Sequence, residues 1–124
     1  MGEGLEQSWI HSMLIQPVVE NAIMHGLSEK LGSGETAIVR IAAERNGNAL
    51  LLHVWDNGVG MTEEQCMRVV QETDRKQSNL HIGLSNIHKR IKYLYGSSYG
   101  LNIYSEPGQY TEVILTLPLS LPEA

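Results

Sequence analysis

The sequence predicts an α+β two-layer sandwich, in which a mixed, mostly antiparallel sheet carries helices on one face. Three observations lead there. Apolar residues recur at helical spacing in the first third of the chain and again after residue 83. Two pairs of alternating apolar and polar runs flank turn signals. The elements then follow in the order helix, two strands, helix, helix, two strands, which favours hairpins over parallel crossovers.

Residues 10–26 read as a helix because Leu14, Val18 and Ala22 recur every four residues as one apolar stripe. Pro17 lies inside that pattern, so the helix either bends there or begins its regular part there. Gly26 is its expected stop, and Ser28 to Glu35, with Gly32 and Gly34, reads as a flexible connection. Thr36 to Glu44 and Ala49 to Trp55 alternate as strands around Arg45-Asn46-Gly47-Asn48, where Asn-Gly signals a hairpin. Thr62-Glu63-Glu64-Gln65 has the capping-box pattern and opens a short helix to about Gln71. Glu72 to Asn79 is polar and has no period. Leu84, Ile87, Ile91 and Leu94 set a third helix that ends near Gly96. Leu101 to Ser105 and Thr111 to Leu117 form a last hairpin across Glu106-Pro107-Gly108-Gln109.

With 124 residues, of which 42% are hydrophobic, the chain is expected to be one globular domain spanning 1–124. A net charge of −5 argues against a nucleic-acid partner, which needs dense Lys and Arg. No apolar run approaches the ~20 residues of a membrane span, so no membrane contact by this domain is expected. Cys66 is the only cysteine and cannot form an internal disulfide, which suits the cytosol. The five His residues show no metal-ligand spacing.

Three short segments carry the chemistry. Asp56 closes the second strand and is followed by Asn57-Gly58-Val59-Gly60. A carboxylate there can accept from the exocyclic amine of adenine, whereas guanine presents a carbonyl at that position. Gly58 and Gly60 would let the backbone turn tightly and approach the base. A plain Asp-Asn-Gly turn is the simpler explanation of that segment taken alone. On the first helix, Asn21 and His25 lie one turn apart and share a face. The Asn21 carbonyl is a hard oxygen suited to Mg²⁺. Glu20 either orients a Mg²⁺-bound water or is simply solvated. For His25, packing or a backbone hydrogen bond at a helix end outweighs catalysis, and it is kept as a cofactor contact. Gly83 opens the third helix, where the amides of Gly83, Leu84, Ser85 and Asn86 are free to face phosphate oxygens. Lys89, Arg90 and Lys92 make that helix basic, a pattern more often a solvated face than a binding patch.

In this order the segments resemble the ATP-binding domain shared by gyrase, the ninety-kilodalton heat-shock chaperones, histidine kinases and MutL. Residues 16–26 look like its N box, 56–60 its first glycine box and 82–86 its second. The run Gln16-Pro17-Val18-Val19-Glu20-Asn21-Ala22-Ile23, with His25-Gly26 after it, is similar to the LytS/YesM-like bacterial sensor histidine kinases. Gly83-Leu84-Ser85-Asn86-Ile87, Lys89-Arg90-Ile91, Tyr95-Gly96 and Ser105-Glu106-Pro107-Gly108 continue the match. The resemblance implies a Bergerat-type fold that binds ATP and Mg²⁺ beneath a lid at about residues 62–80, with Thr111 near the adenine, sharing a water with Asp56.

Three positions depart from the pattern. Met24 stands where many histidine kinases carry Lys or Arg, with Arg75 or Lys76 as substitutes. His81 replaces a glycine and implies a stiffer lid end; Tyr110 replaces another and is expected to narrow the base pocket. The phosphoacceptor pattern of this branch contains Phe, and the chain has none. The expectation is therefore a histidine kinase catalytic domain, cut from a sensor in the bacterial plasma membrane and lying on its cytoplasmic side. Its partners would be the parent's dimerisation and phosphoacceptor domain and, indirectly, a response regulator. An anti-sigma-factor-type serine kinase and a non-catalytic nucleotide-binding regulatory module are the alternatives.

Overall fold

The stripe of Leu14, Val18 and Ala22 does form one buried helix face, each residue being at most 4% exposed. The computed structural model describes residues 13–70 and 82–119. Helix α1 runs over residues 13–21 and passes through Pro17 without interruption. It then widens into a π turn, Ala22–Gly26, in which the Leu27 amide donates to the Ala22 carbonyl at 2.9 Å. The expected start at residues 10–12 lies outside the described residues.

The stretch expected to be a flexible connection is instead a short helix, α2, Ser28–Ser33. Leu27, 3% exposed, anchors the chain just before it, and Gly34 takes the left-handed conformation that ends it (φ 81°). Six residues containing a glycine are too few to show a period, which is why the pattern was invisible.

Strands β1 (Val39–Asn46) and β2 (Ala49–Asp56) pair antiparallel from Asn46↔Ala49 to Val39↔Asp56. The turn needs Gly47 at positive φ (61°), while Asn48 stays at negative φ. Helix α3, Glu63–Val70, has the reciprocal capping box that the sequence promised. The Gln65 amide donates to Thr62 Oγ1 at 3.1 Å, and the Thr62 amide donates to Gln65 Oε1 at 2.8 Å. This helix covers the first part of the expected lid; residues 71–80 lie outside the described residues. Helix α4, Ile82–Tyr95, ends at Gly96, and strands β3 (Gly100–Glu106) and β4 (Tyr110–Pro118) complete the fold.

The sheet order is β1-β2-β4-β3, and every ladder among the described residues is antiparallel, with none of the expected mixing. Alternation divides its faces. Leu52, Val54 and Asp56 of β2 and Thr111, Val113, Leu115 and Leu117 of β4 turn toward the helices and are buried. The aliphatic ones meet Leu14 and Val18 of α1, Ala22 of the π turn, Val69 of α3 and Leu84, Ile87 and Ile91 of α4 in one core. Fully burying each such aliphatic side chain contributes roughly 1.5–3 kcal/mol.

The other face carries the partners that alternation leaves over. The rings of Trp55 and Tyr110 stack with centroids 6.4 Å apart, and the Arg40 guanidinium lies 5.2 Å above Trp55. Beside them His53 reaches Glu44 at 2.8 Å and Glu112 at 3.5 Å. Among the described residues no helix is long and apolar enough to cross a membrane.

Candidate functional site

Asp56 is the last residue of β2 and lies on the helix side of the sheet, 3% exposed. Its Oδ1 accepts the amide of Gly58 at 2.9 Å, an Asx turn that folds the chain back over its own carboxylate. Burial pushes the Asp56 carboxyl above the ordinary carboxylate value, and the Gly58 hydrogen bond pulls part of the way back. A buried carboxylate with one backbone donor is poised to gain from a ligand that brings further N–H groups.

The glycines around it serve contact more than turning. The Val59 amide donates to the Gly26 carbonyl at 2.8 Å, so the end of α1 rests on this loop. A Cβ on Gly58 would fall on the Gly26 carbonyl oxygen. A Cβ on Gly26 would lie 2.7 Å from Asp56 Oδ1. A Cβ on Gly60 (φ 74°) would fall against the Glu106 carbonyl oxygen. The Gly108 amide, in the β3–β4 turn, donates to the Val59 carbonyl at 2.6 Å. The loop after β2 is thus held between α1 and the last hairpin.

Asn57 stands apart from the cluster and has a different task. Its Oδ1 accepts the Ile38 amide at 2.8 Å, and its Nδ2 donates to the Thr36 carbonyl at 3.0 Å. It ties down the segment that leads into β1.

Thr111 faces Asp56 directly in the β2–β4 ladder and is 5% exposed. On its other side it is paired with Ser105 of β3, whose Oγ lies 3.0 Å from Thr111 Oγ1. Ser105 also bonds the Tyr110 carbonyl and the Met61 amide, each at 2.6 Å. The sequence reading missed this residue as part of the site. The available signals were its even spacing with Ile103 on the inward side of β3 and its place at the head of the Ser105-Glu106-Pro107-Gly108 run.

Asn21 closes α1 and His25 lies in the π turn after it; both are half-buried, and Gly26, next to His25 in the chain, touches the loop after Asp56. Glu20 is exposed, and its Oε1 accepts from Gln16 Nε2 at 3.2 Å. Met24 is 68% exposed. Gly83 and Leu84 lie in the first turn of α4, and Asn86 is exposed one turn in. A Cβ on Gly83 would meet nothing within 4 Å. The Leu84 side chain is wholly buried in the core, so only its backbone amide can serve a ligand. Ser85 Oγ donates to the Val69 carbonyl at 3.2 Å and joins α4 to α3.

One expectation is overturned here. Tyr110 does not narrow the pocket, because its neighbour Thr111 points inward and alternation sends Tyr110 to the opposite face, onto Trp55. His81, Arg75 and Lys76 lie outside the described residues. Among the described residues no group of three His, Cys, Asp or Glu is placed to hold a metal alone.

Known proteins are similar to this chain in sequence and in fold. The chain is 42% identical over 110 residues to the sensor histidine kinase YpdA of Escherichia coli K12, covering 88% of this chain and 18% of that protein. It is 32% identical over 114 residues to the sensor histidine kinase BtsS of the same organism, 92% of this chain and 18% of that one. The chain therefore spans about a fifth of the length of these relatives. In fold it is similar to the histidine kinase domain of the blue-light activated kinase from Erythrobacter litoralis EL346. The TM-score is 0.59 at 24% identity, over 86% of this chain and 42% of that one. A family profile described as histidine kinase-, DNA gyrase B- and HSP90-like ATPase matches residues 10–121, and all the elements just described fall within that span. With its buried Asp56, its glycine loop and its sheet all inside the matched region, the chain belongs to that ATPase family.

Proposed function

We propose that this chain binds ATP with Mg²⁺ and is the catalytic domain of a two-component sensor histidine kinase of the LytS/YesM-like type. The observation that carries the reading is the buried Asp56 in register with Thr111, held between Gly26 and the β3–β4 turn. Asp56 accepts from the adenine amine, and its desolvation makes that hydrogen bond count. Gly58 and Gly60 shape the loop that places it. His25 and Thr111 flank the nucleotide.

The amides of Gly83 and Leu84 face the phosphates with the positive end of the α4 dipole, and Asn86 reaches them with its exposed side chain. Asn21 contributes its amide oxygen to Mg²⁺, with Glu20 in support from the same helix. The bound ion would neutralise part of the triphosphate charge. The family match and the sensor histidine kinase relatives support the reading as an ATP-binding histidine kinase domain.

The acceptor is a histidine on the dimerisation domain of the parent protein. An imidazole nitrogen forms a bond to the γ-phosphorus while the bond from that phosphorus to the β–γ bridging oxygen breaks, leaving ADP. This domain's share is positioning and electrostatics. A response regulator then takes the phosphoryl group from that histidine. The domain works on the cytoplasmic side of a membrane-anchored parent.

The test is calorimetric titration with a non-hydrolysable ATP analogue, with and without Mg²⁺, beside the guanine analogue. It is followed by phosphotransfer to an added dimerisation domain. Adenine-selective binding and an acid-labile phosphoryl product support the reading. An acid-stable product points to a serine kinase, and binding with no transfer leaves a regulatory nucleotide module.

A further inference from the structure

We infer that Ser105 is a positioning residue for base selectivity, acting through Thr111; the inference rests on the adenine-site reading above. The Tyr110 carbonyl can only accept, so at 2.6 Å the single Ser105 hydroxyl proton goes to it. The Met61 amide can only donate, so at 2.6 Å it takes one lone pair of Ser105 Oγ. The remaining neighbour, Thr111 Oγ1 at 3.0 Å, must then donate its own proton to the second lone pair. Thr111 is left with lone pairs alone for anything else that approaches.

Thr111 stands opposite Asp56 across the β2–β4 ladder, and both are at least 95% buried. Beside the base the sheet therefore offers acceptors only, a carboxylate and a hydroxyl whose proton is already spent. An exocyclic amine brings donors to that pair. At position 6 a 6-oxo purine brings lone pairs against it, which the Asp56 carboxylate has no proton to satisfy and which Thr111 could meet only by rotating its hydroxyl away from Ser105. Left without Ser105, Thr111 could rotate and donate to a 6-oxo group. Ser105 removes that option from a position where it need not touch the nucleotide. Through Met61 it also fixes the end of the loop that begins at Asp56.

The experiment measures binding of a non-hydrolysable ATP analogue and of its inosine counterpart, both with MgCl₂, to the full chain. The variants are Ser105→Ala, Ser105→Thr and Ser105→Ala in a Thr111→Val background. The expected result is an adenine preference in the unaltered chain that falls roughly three- to tenfold in Ser105→Ala. Ser105→Thr, which keeps the hydroxyl, restores the preference. In the Thr111→Val background Ser105→Ala changes the ratio no further. A ratio unchanged by Ser105→Ala overturns the inference and leaves the adenine site standing. No adenine preference in the unaltered chain overturns the site reading and this inference together. If Ser105→Ala fails to melt cooperatively, Ser105→Cys, of similar volume and weaker hydrogen bonding, is read by the same criteria.

Discussion

The carbonyl oxygen of Gly26 occupies the space that a side chain on Gly58 would need, so α1 and the loop after β2 meet backbone to backbone. This contact makes the site a property of the tertiary fold. The residues that would read the base and those that would hold the metal sit on two elements joined by this backbone contact and by the Val59 to Gly26 hydrogen bond. Backbone cannot swing aside as a flexible side chain can, so the contact fixes their separation.

Gly58→Ala should therefore be among the most damaging small substitutions in the chain. Overpacking of this kind costs about 1–3 kcal/mol, and a backbone neighbour puts it at the upper end. Gly26→Ala meets the Asp56 carboxylate instead, at 2.7 Å, and should cost less because a side chain can move. Urea denaturation of both variants gives the order; a Gly58→Ala midpoint equal to that of the unaltered chain would contradict the contact.

Asp56 separates stability from binding. Its folded-state pKa is raised by burial, so the folded chain favours the protonated carboxyl. The stability this group contributes is present below the ordinary carboxylate pKa and is lost as pH rises through the raised folded value. At pH 7 the buried charge is a net burden on the ligand-free domain. Asp56→Asn removes the charge and keeps an oxygen for the Gly58 amide. It should melt at or above the unaltered chain at pH 7, with the gap closing on acidification toward pH 4. ATP affinity should nevertheless fall by roughly 1.5–3 kcal/mol, about ten- to 150-fold. Thermal melts at the two pH values and one titration check both halves.

Tyr110→Ala should do the reverse. The ring stacks on Trp55 on the face away from Asp56, so its loss removes an aromatic pair worth roughly 0.5–1.5 kcal/mol beyond its burial. Nucleotide affinity should stay within about twofold, since RT ln 2 is well under 1 kcal/mol. A large affinity change with unchanged stability would return Tyr110 to the pocket wall.

The same tyrosine shows what was legible in the sequence and what was not. Period and turn chemistry gave α1, α3, α4 and both hairpins, because each rests on a local rule that its own residues satisfy. Alternation also contained the fate of Tyr110: once Thr111 faces Asp56, its neighbour must face away. The widening of α1 at Ala22–Gly26 and the brevity of α2 obey no repeating pattern and were hidden. Asp56, the two glycines and Thr111 could be named as a set. The reason Gly58 must be glycine lies 32 positions away, at Gly26, and the Met61 partner of Ser105 is separated from it by 44. Pairings at such distance belong to the folded chain alone.

Asn21→Asp tests the metal side of the site with the least disturbance of shape. Asn21 is helical (φ −61°, ψ −42°) and half-buried, and the change to Asp keeps its volume and its side-chain oxygen. It removes two N–H donors and brings a negative charge to a wall proposed to face a triphosphate. Mg²⁺-dependent binding of the ATP analogue should weaken at least tenfold, by about 1.4 kcal/mol or more, while the melting curve stays in place. If the melting curve collapses instead, Asn21 holds α1 together and the metal must find its protein oxygen elsewhere. Glu20 on the same helix, exposed and hydrogen-bonded only to Gln16 in the contacts described, would then be the next residue to exchange.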